Sequence, residues 1–269
     1  MNRGRGLAMV GWAYAWLVLL FVLLPVVIMV PASFGSSETL EFPPRDYSLR
    51  WYAQVLGDRA WLGSAALSAR LALIAALIAT VAGLLLGVAH LLLGRIRPNL
   101  RAFLMLPIVA PHIVMATGLF SILLSFRALG DPTVLAIVHA TLAVPLTMIV
   151  FVNAVDSIDP LLWTAARTLG ARWWTIMRQI IMPLMLTSAI VAFVLALVVS
   201  WDEVTFAIFI GPSRLPTLPA RMFYYLRELI TPALTAVATL LVAATLMGGL
   251  LVLAINRFRR VPGPTETST

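Results

Sequence analysis

The sequence predicts an all-α membrane protein with six transmembrane helices. Of its 269 residues, 61% are hydrophobic, and the mean hydropathy is +1.00. Only 11% are charged, against about 25% in a soluble domain. The apolar residues gather into six runs, each near the ~20 residues that carry a helix across a bilayer core.

The first run spans about residues 7–30. Arg3 and Arg5 precede it, as in a signal peptide. Its apolar stretch is too long for one and no A-x-A site follows, so an uncleaved helix is expected. The others span about 71–93, 102–126, 133–155, 183–205 and 229–256. Pro107 and Pro111 are expected to kink the third. Between the first two runs, "SLRWYAQVLGDRAWL" (Ser48–Leu62) has apolar and aromatic residues at helical spacing. Before the last, "RMFYYLREL" (Arg221–Leu229) gathers aromatics beside Arg and Glu. Both fit an interfacial aromatic belt, with contact to an external partner as the sharper alternative. The tail 261–269, "VPGPTETST", is expected to be disordered.

Six spans put both termini on one side, and the arginines say which. With the termini inside, the inner segments hold Arg3, Arg5, Arg95, Arg97, Arg101, Arg167, Arg172, Arg178, Arg257, Arg259 and Arg260, the larger share of the 19 basic residues. Arg95, Arg97 and Arg101 crowd one short loop, where the positive-inside rule is strongest. Cytoplasmic termini are expected. The same flanking explains the net charge of +8 without a nucleic-acid partner.

Missing residue types exclude chemistry. There is no cysteine, hence no disulfide and no thiolate metal site. All basic residues are arginine. A P-loop needs its lysine and a Schiff base needs a lysine amine, so neither is open to this chain. His90, His112 and His139 fall in separate spans without metal-ligand spacing. They are expected to be packed or interfacial. No metal and no catalytic residue is predicted.

The basic segment at about 156–183 is punctuated for structure. Asp159-Pro160 is a helix start, an Asp N-cap followed by Pro at N1. The helix is expected over Leu161–Leu169, and Gly170 is placed to end it in the left-handed region. A second helical run, "ARWWTIMRQII", leads to a break or bend at Pro183. Leu162, Ala165, Ala166 and Leu169 share one face. Trp173, Trp174, Met177, Ile180 and Ile181 form another. The residues alone leave two readings open: an amphipathic loop on the membrane surface, or a docking element whose small residues admit a partner closely.

"TAARTLGARWWTIMRQIIMP" (Thr164–Pro183) resembles the EAA loop of ABC-importer permeases. Ala165, Ala166, Gly170, Ile180, Ile181 and Pro183 match that pattern. Thr164 stands where the pattern has an acid, and Met182 where it has Leu. The resemblance extends through "SLRWYAQVL", "LPIVAPHIVMATGL" and "SWDEVTFAIFIGPSRLPTLPARMF" to the smaller permease of the polyamine (spermidine/putrescine) importer group. It implies a type I ABC importer fold, with residues 1–260 forming one permease domain of a multi-pass bacterial inner-membrane protein. It also implies a second, different permease chain, two ATPase subunits that bind ATP and Mg, and a periplasmic solute-binding protein. This chain would bind no cofactor itself. Thr164, Ala165, Ala166, Arg167, Gly170, Ile181 and Pro183 become the expected ATPase-coupling residues.

Trp201, Asp202 and Glu203 are the pathway candidates. The acids follow an uncharged stretch from Gln179 to Trp201 and precede the apolar "VTFAIFIGPS". Acids in or beside a span are costly and point to function, and an acidic passage suits a cationic solute. The simpler alternative ends the fifth span here, with Trp201 as its anchor. At the level of the whole chain, the rival readings are a self-contained secondary transporter or channel and an ABC importer for an opine, iron or an aminophosphonate. An intramembrane enzyme would need a paired catalytic signature, which the sequence lacks.

Overall fold

The computed structural model describes residues 3–228 and 231–259, and the described residues are helical apart from their connections. In chain order the helices are α1 (Arg3–Ala32), α2 (Arg50–Gly57), α3 (Arg59–Leu93), α4 (Pro98–Val109), α5 (His112–Ser125), α6 (Pro132–Asp156), α7 (Pro160–Thr168), α8 (Trp173–Ile176), α9 (Met182–Trp201), α10 (Thr205–Ile210), α11 (Leu218–Glu228) and α12 (Pro232–Arg259). A single π-helical turn, Met177–Ile181, joins α8 to α9. The expected tail at 261–269 lies outside the described residues. The chain divides into two compact units, one made of the residues up to Arg59 and from Tyr224 on, the other Ala60–Phe223.

In the first unit, α12 packs on α1 and α2. From Met9 to Leu24 every residue of α1 is exposed. Such a helix, apolar all round, is at home in hydrocarbon. Trp51 is buried, with its indole N–H donating to the Ser37 carbonyl at 3.2 Å and the Arg50 guanidinium over its ring at 4.5 Å. In the second unit Trp61 is also buried, with Arg221 5.8 Å from its ring. The aromatic-belt reading of Ser48–Leu62 is therefore corrected: both tryptophans pack inward, each with an arginine against its ring in its own unit.

The second unit is built on α3, α6 and α9. Ala72, Ala75, Ala76, Ala79, Gly83 and Gly87 make a small-residue stripe on α3 that faces α6. Without large side chains the backbones approach closely, which is how helices associate in lipid. Gly83 lies against Thr147 and Gly87 against Phe151, and the Thr147 hydroxyl donates to the Ala79 carbonyl at 2.7 Å. Contact positions rise together on both helices, so α3 and α6 run parallel. On α9, Ser200 meets His139, Ala196 packs with Ala140 and Ala143, and Met185 packs with Phe151. Those positions run in opposite senses, so α9 is antiparallel to α6.

The third span differs from expectation. In place of one helix over 102–126 there are α4, of 12 residues, and α5, of 14, bent by 94° at Ala110-Pro111. Neither reaches the ~20 residues of a crossing. Pro111 lacks an N–H and disfavours helix in the residue before it, which produces the break. Among the described residues, five helices are long and apolar enough to cross, or six if the bent pair counts as one. α3 and α6 run parallel, and the bent pair α4–α5 lies between them along the chain.

Two further bounds move. The second span was expected from 71, but α3 begins at Arg59, since Arg59 and Arg70 interrupt the apolar run and not the helix. Pro183 was expected to break or bend the chain, yet α9 runs through it. The turn before it widens instead: the Met182 N–H bonds the Met177 carbonyl, one residue further back than in an α-helix. That register shift makes room for the proline ring.

Candidate coupling and translocation sites

The 156–183 segment hangs between α6 and α9. Asp159 caps α7, its Oδ1 accepting from the Leu161 N–H at 2.8 Å, with Pro160 in the first turn. At the other end the Gly170 and Ala171 N–H groups bond the Arg167 and Ala166 carbonyls, each at 3.0 Å. Gly170 has φ +80, the left-handed conformation that favours glycine. α7 is thus a short helix fixed at both ends.

Its expected face divides. Ala166 is buried and packs in a cluster with Ile176, Met177 and Ile181, while Leu162, Ala165 and Leu169 are exposed, Leu169 by 88%. A methyl at 166 lets α7 lie close against its own chain. Ile181, 1% exposed, belongs to that same interior. Thr164, Arg167, Gly170 and Pro183 are exposed. The Thr164 hydroxyl donates to the Pro160 carbonyl at 3.2 Å, within its own helix. A cavity of about 510 Å3 beside it is lined by His90, Asp156, Asp159, Trp163, Thr164 and Ile181. The position that lacks its acid thus shares a cavity with two aspartates.

At the other end of α9 the adjacent acids part company. α9 stops at Trp201, which is half-buried, and α10 resumes at Thr205. Glu203 is 8% exposed. Its Oε1 accepts from the N–H groups of Thr205 at 2.8 Å and Phe206 at 3.2 Å, capping α10. Its Oε2 lies 3.3 Å from His112 Nδ1, and the His112 and Phe206 rings are 5.8 Å apart. Asp202 is exposed, and its side chain has no hydrogen bond or ion pair among the described residues, its backbone N–H alone bonding the Val198 carbonyl at 3.0 Å.

Depth follows from register. The Ser200 hydroxyl bonds His139 Nδ1 at 2.9 Å, and His139 lies ~10 Å along α6 from Pro132 at 1.5 Å per residue. The Asp202–Val204 segment separates α9 from the apolar α10. α10 continues to Ile210, whose carbonyl accepts from the Gly130 N–H at 3.0 Å, just ahead of the start of α6. Irregular backbone at membrane depth survives only where it is buried in protein or lines an aqueous cavity. Two breaks in apolar helix, at Pro111 and at Asp202–Val204, meet through His112 and Glu203.

The three histidines are each paired far along the chain: His90 with Asp156 at 2.9 Å, His112 with Glu203, and His139 with Ser200. Sequence reading missed these pairs. The only available signal was that each histidine, like its partner, interrupts an apolar run.

Comparison with known proteins settles the family. The model of the binding-protein-dependent transport system inner membrane components matches residues 79–260, about two thirds of the chain. The chain belongs to that family. It is a multi-pass inner-membrane permease. The permease is 30% identical over 246 residues to the putrescine transport system permease protein PotI of Escherichia coli (strain K12), covering 87% of this chain and 86% of the relative. To the spermidine/putrescine transport system permease protein PotC of Haemophilus influenzae it is 26% identical over 235 residues, covering 87% of this chain and 91% of the relative. Its fold is similar to that in the crystal structure of a bacterial ABC transporter involved in the import of the acidic polysaccharide alginate. The TM-score is 0.64 at 16% identity, covering 97% of this chain and 99% of that one.

Proposed function

We propose that this permease imports polyamines, with the segment at 156–183 coupling transport to ATP hydrolysis on partner subunits. The observation that carries the coupling reading is α7. It is held at both ends, and its Leu162–Ala165–Leu169 face is exposed among the described residues. Both termini and α7 lie on the cytoplasmic side, as the arginine bias supports. Two ATPase subunits bind ATP and Mg and receive α7. A second, different permease chain completes the pathway, and a periplasmic binding protein delivers solute. On ATP binding α7 moves with its ATPase, and the linked α6 and α9 carry that motion toward the Asp202–Val204 break. Asp202, exposed and unpaired, attracts the cationic solute, while Glu203 holds the break in shape. Relatives named for spermidine and putrescine support the cation.

The test uses the assembled transporter in proteoliposomes with its binding protein, reading putrescine and spermidine uptake beside ATPase co-purification. Leu169→Asp and Ala165→Asp are expected to abolish uptake and release the ATPase while the permease stays folded. Retained association and uptake in both would defeat the coupling reading. A binding protein stabilised by an opine, iron or an aminophosphonate, and not by polyamines, would overturn the substrate.

A further inference from the structure

Where α3 gives way to α4 there is a second cavity of about 380 Å3, with Arg95, Arg101 and Asp156 on its walls and Met148 and Val152 among its apolar lining. Arg95 and Arg101 are exposed, and no ion pair among the described residues holds either. Asp156 is already engaged. The Ile96 N–H donates to His90 Nδ1 at 3.3 Å, which leaves the ring proton on Nε2, and Nε2 donates to Asp156 Oδ1 at 2.9 Å. Two free arginines therefore face one carboxylate that has a donor of its own.

The surroundings are amphipathic. No side chain caps the first turn of α4, a helix of 12 residues, so its leading N–H groups add partial positive charge beside the arginines. From there Leu100, Phe103 and Leu106 run along α4 as exposed apolar side chains. α4 buries none of its residues. A free phosphate ion would use the cations and leave this apolar strip unexplained. A lipid uses both.

We infer that this cavity binds the phosphodiester headgroup of an anionic phospholipid. Arg95 and Arg101 contact the phosphate, and an acyl chain lies along Leu100, Phe103 and Leu106. Basic pockets between membrane helices are suited to such headgroups, and arginine can engage a phosphate through two donors at once. The site lies beside the cavity that holds Thr164 and shares His90 and Asp156 with it, so a bound lipid would buttress the loop that leads into α7.

The experiment takes the full chain in nanodiscs of phosphatidylcholine with graded phosphatidylglycerol and measures retained lipid by native mass spectrometry. Phosphatidylglycerol is expected to be retained in preference to phosphatidylcholine. R95Q and R101Q should each weaken that preference about fivefold, as for one cation at an anionic surface. R97Q, at a residue outside the cavity lining, should change it less than twofold, and R95K/R101K should keep most of it. Should the double glutamine variant not fold, the single variants carry the same test. Equal phosphatidylglycerol retention in wild type and R95Q/R101Q would overturn the inference. So would displacement of the lipid by millimolar inorganic phosphate, which marks a free-anion site. Loss of ATPase association with unchanged lipid retention would mark a protein contact and overturn it equally.

Discussion

Glu203→Ala separates the two acids at the break in the fifth span. Removing the carboxylate strips the cap from α10 and leaves the N–H groups of Thr205 and Phe206, now 2.8 and 3.2 Å from Oε1, without their acceptor. It also leaves His112 without the carboxylate 3.3 Å away. Loss of a cap costs about 1 kcal/mol, and loss of the carboxylate beside the half-exposed His112 side chain adds about 1–2 kcal/mol. Glu203→Gln keeps a carbonyl oxygen for the two N–H groups and gives up only the charge opposite His112, about 1–2 kcal/mol. Asp202→Asn touches an exposed side chain with no partner among the described residues, so its stability should change by no more than about 0.5 kcal/mol. Unfolding of the purified permease in mixed micelles, followed by tryptophan fluorescence, should rank the variants in that order.

Transport should rank them differently. Asp202→Asn is expected to lower uptake efficiency for a polyamine about tenfold, the equivalent of about 1.4 kcal/mol of lost attraction, while the protein stays as stable as wild type. A double-mutant cycle of Glu203→Gln with His112→Ala should return a coupling energy of about 1 kcal/mol or more. Zero coupling would refute the pairing. Equal destabilisation by Asp202→Asn and Glu203→Ala would refute the division of roles.

Three more substitutions test the frame and the loop. Gly83→Ala would put a Cβ 2.5 Å from Thr147 Oγ1 and 2.8 Å from the Thr147 carbonyl carbon. It should destabilise by about 1–3 kcal/mol without rescue by Thr147→Ala, whereas Gly118→Ala, with open space around it, should be tolerated in the same unfolding assay. Asp159→Ala and Gly170→Ala each remove one fixture of α7 at about 1 kcal/mol, and both should lower uptake per ATP hydrolysed in proteoliposomes. Thr164→Glu adds a third carboxylate to the cavity that holds Asp156 and Asp159. ATPase affinity should stay within about twofold of wild type, less than a single added surface ion pair can give, and a tenfold gain would show a cation waiting for that acid.

Much of the architecture is legible because its causes are local. Apolar run length gives the spans, and Asp159-Pro160 with Gly170 gives α7 almost to the residue. What escaped depends on contacts between distant segments. Composition cannot say that α3 keeps its helix through Arg70, because a charge ends an apolar run without ending hydrogen bonding. The 3.6-residue period puts Ala165 and Ala166 on one face. Only the packing of Ile176 and Ile181 beneath α7 turns the second inward and leaves the first outside.

The breaks show most clearly why a single segment is insufficient. Pro111 announces that the third span is interrupted, and the run of apolar residues beyond Glu203 hints that the fifth is too. Neither fact explains how an interrupted apolar helix is tolerated, where backbone groups left unpaired away from water are costly. The geometry explains it by joining the two. The carboxylate that caps α10 also meets the first residue of α5, so one buried side chain serves both discontinuities. Asp202 is released from that duty by its neighbour. In a helix, consecutive residues point about 100° apart. Because α9 ends at Trp201, the chain can direct Glu203 into the protein and leave Asp202 outside it. An adjacent pair of identical charge thus divides into a structural acid and a free one. In the proposed mechanism it is the free acid that meets the cation, since drawing Glu203 away would dismantle the break that presents it.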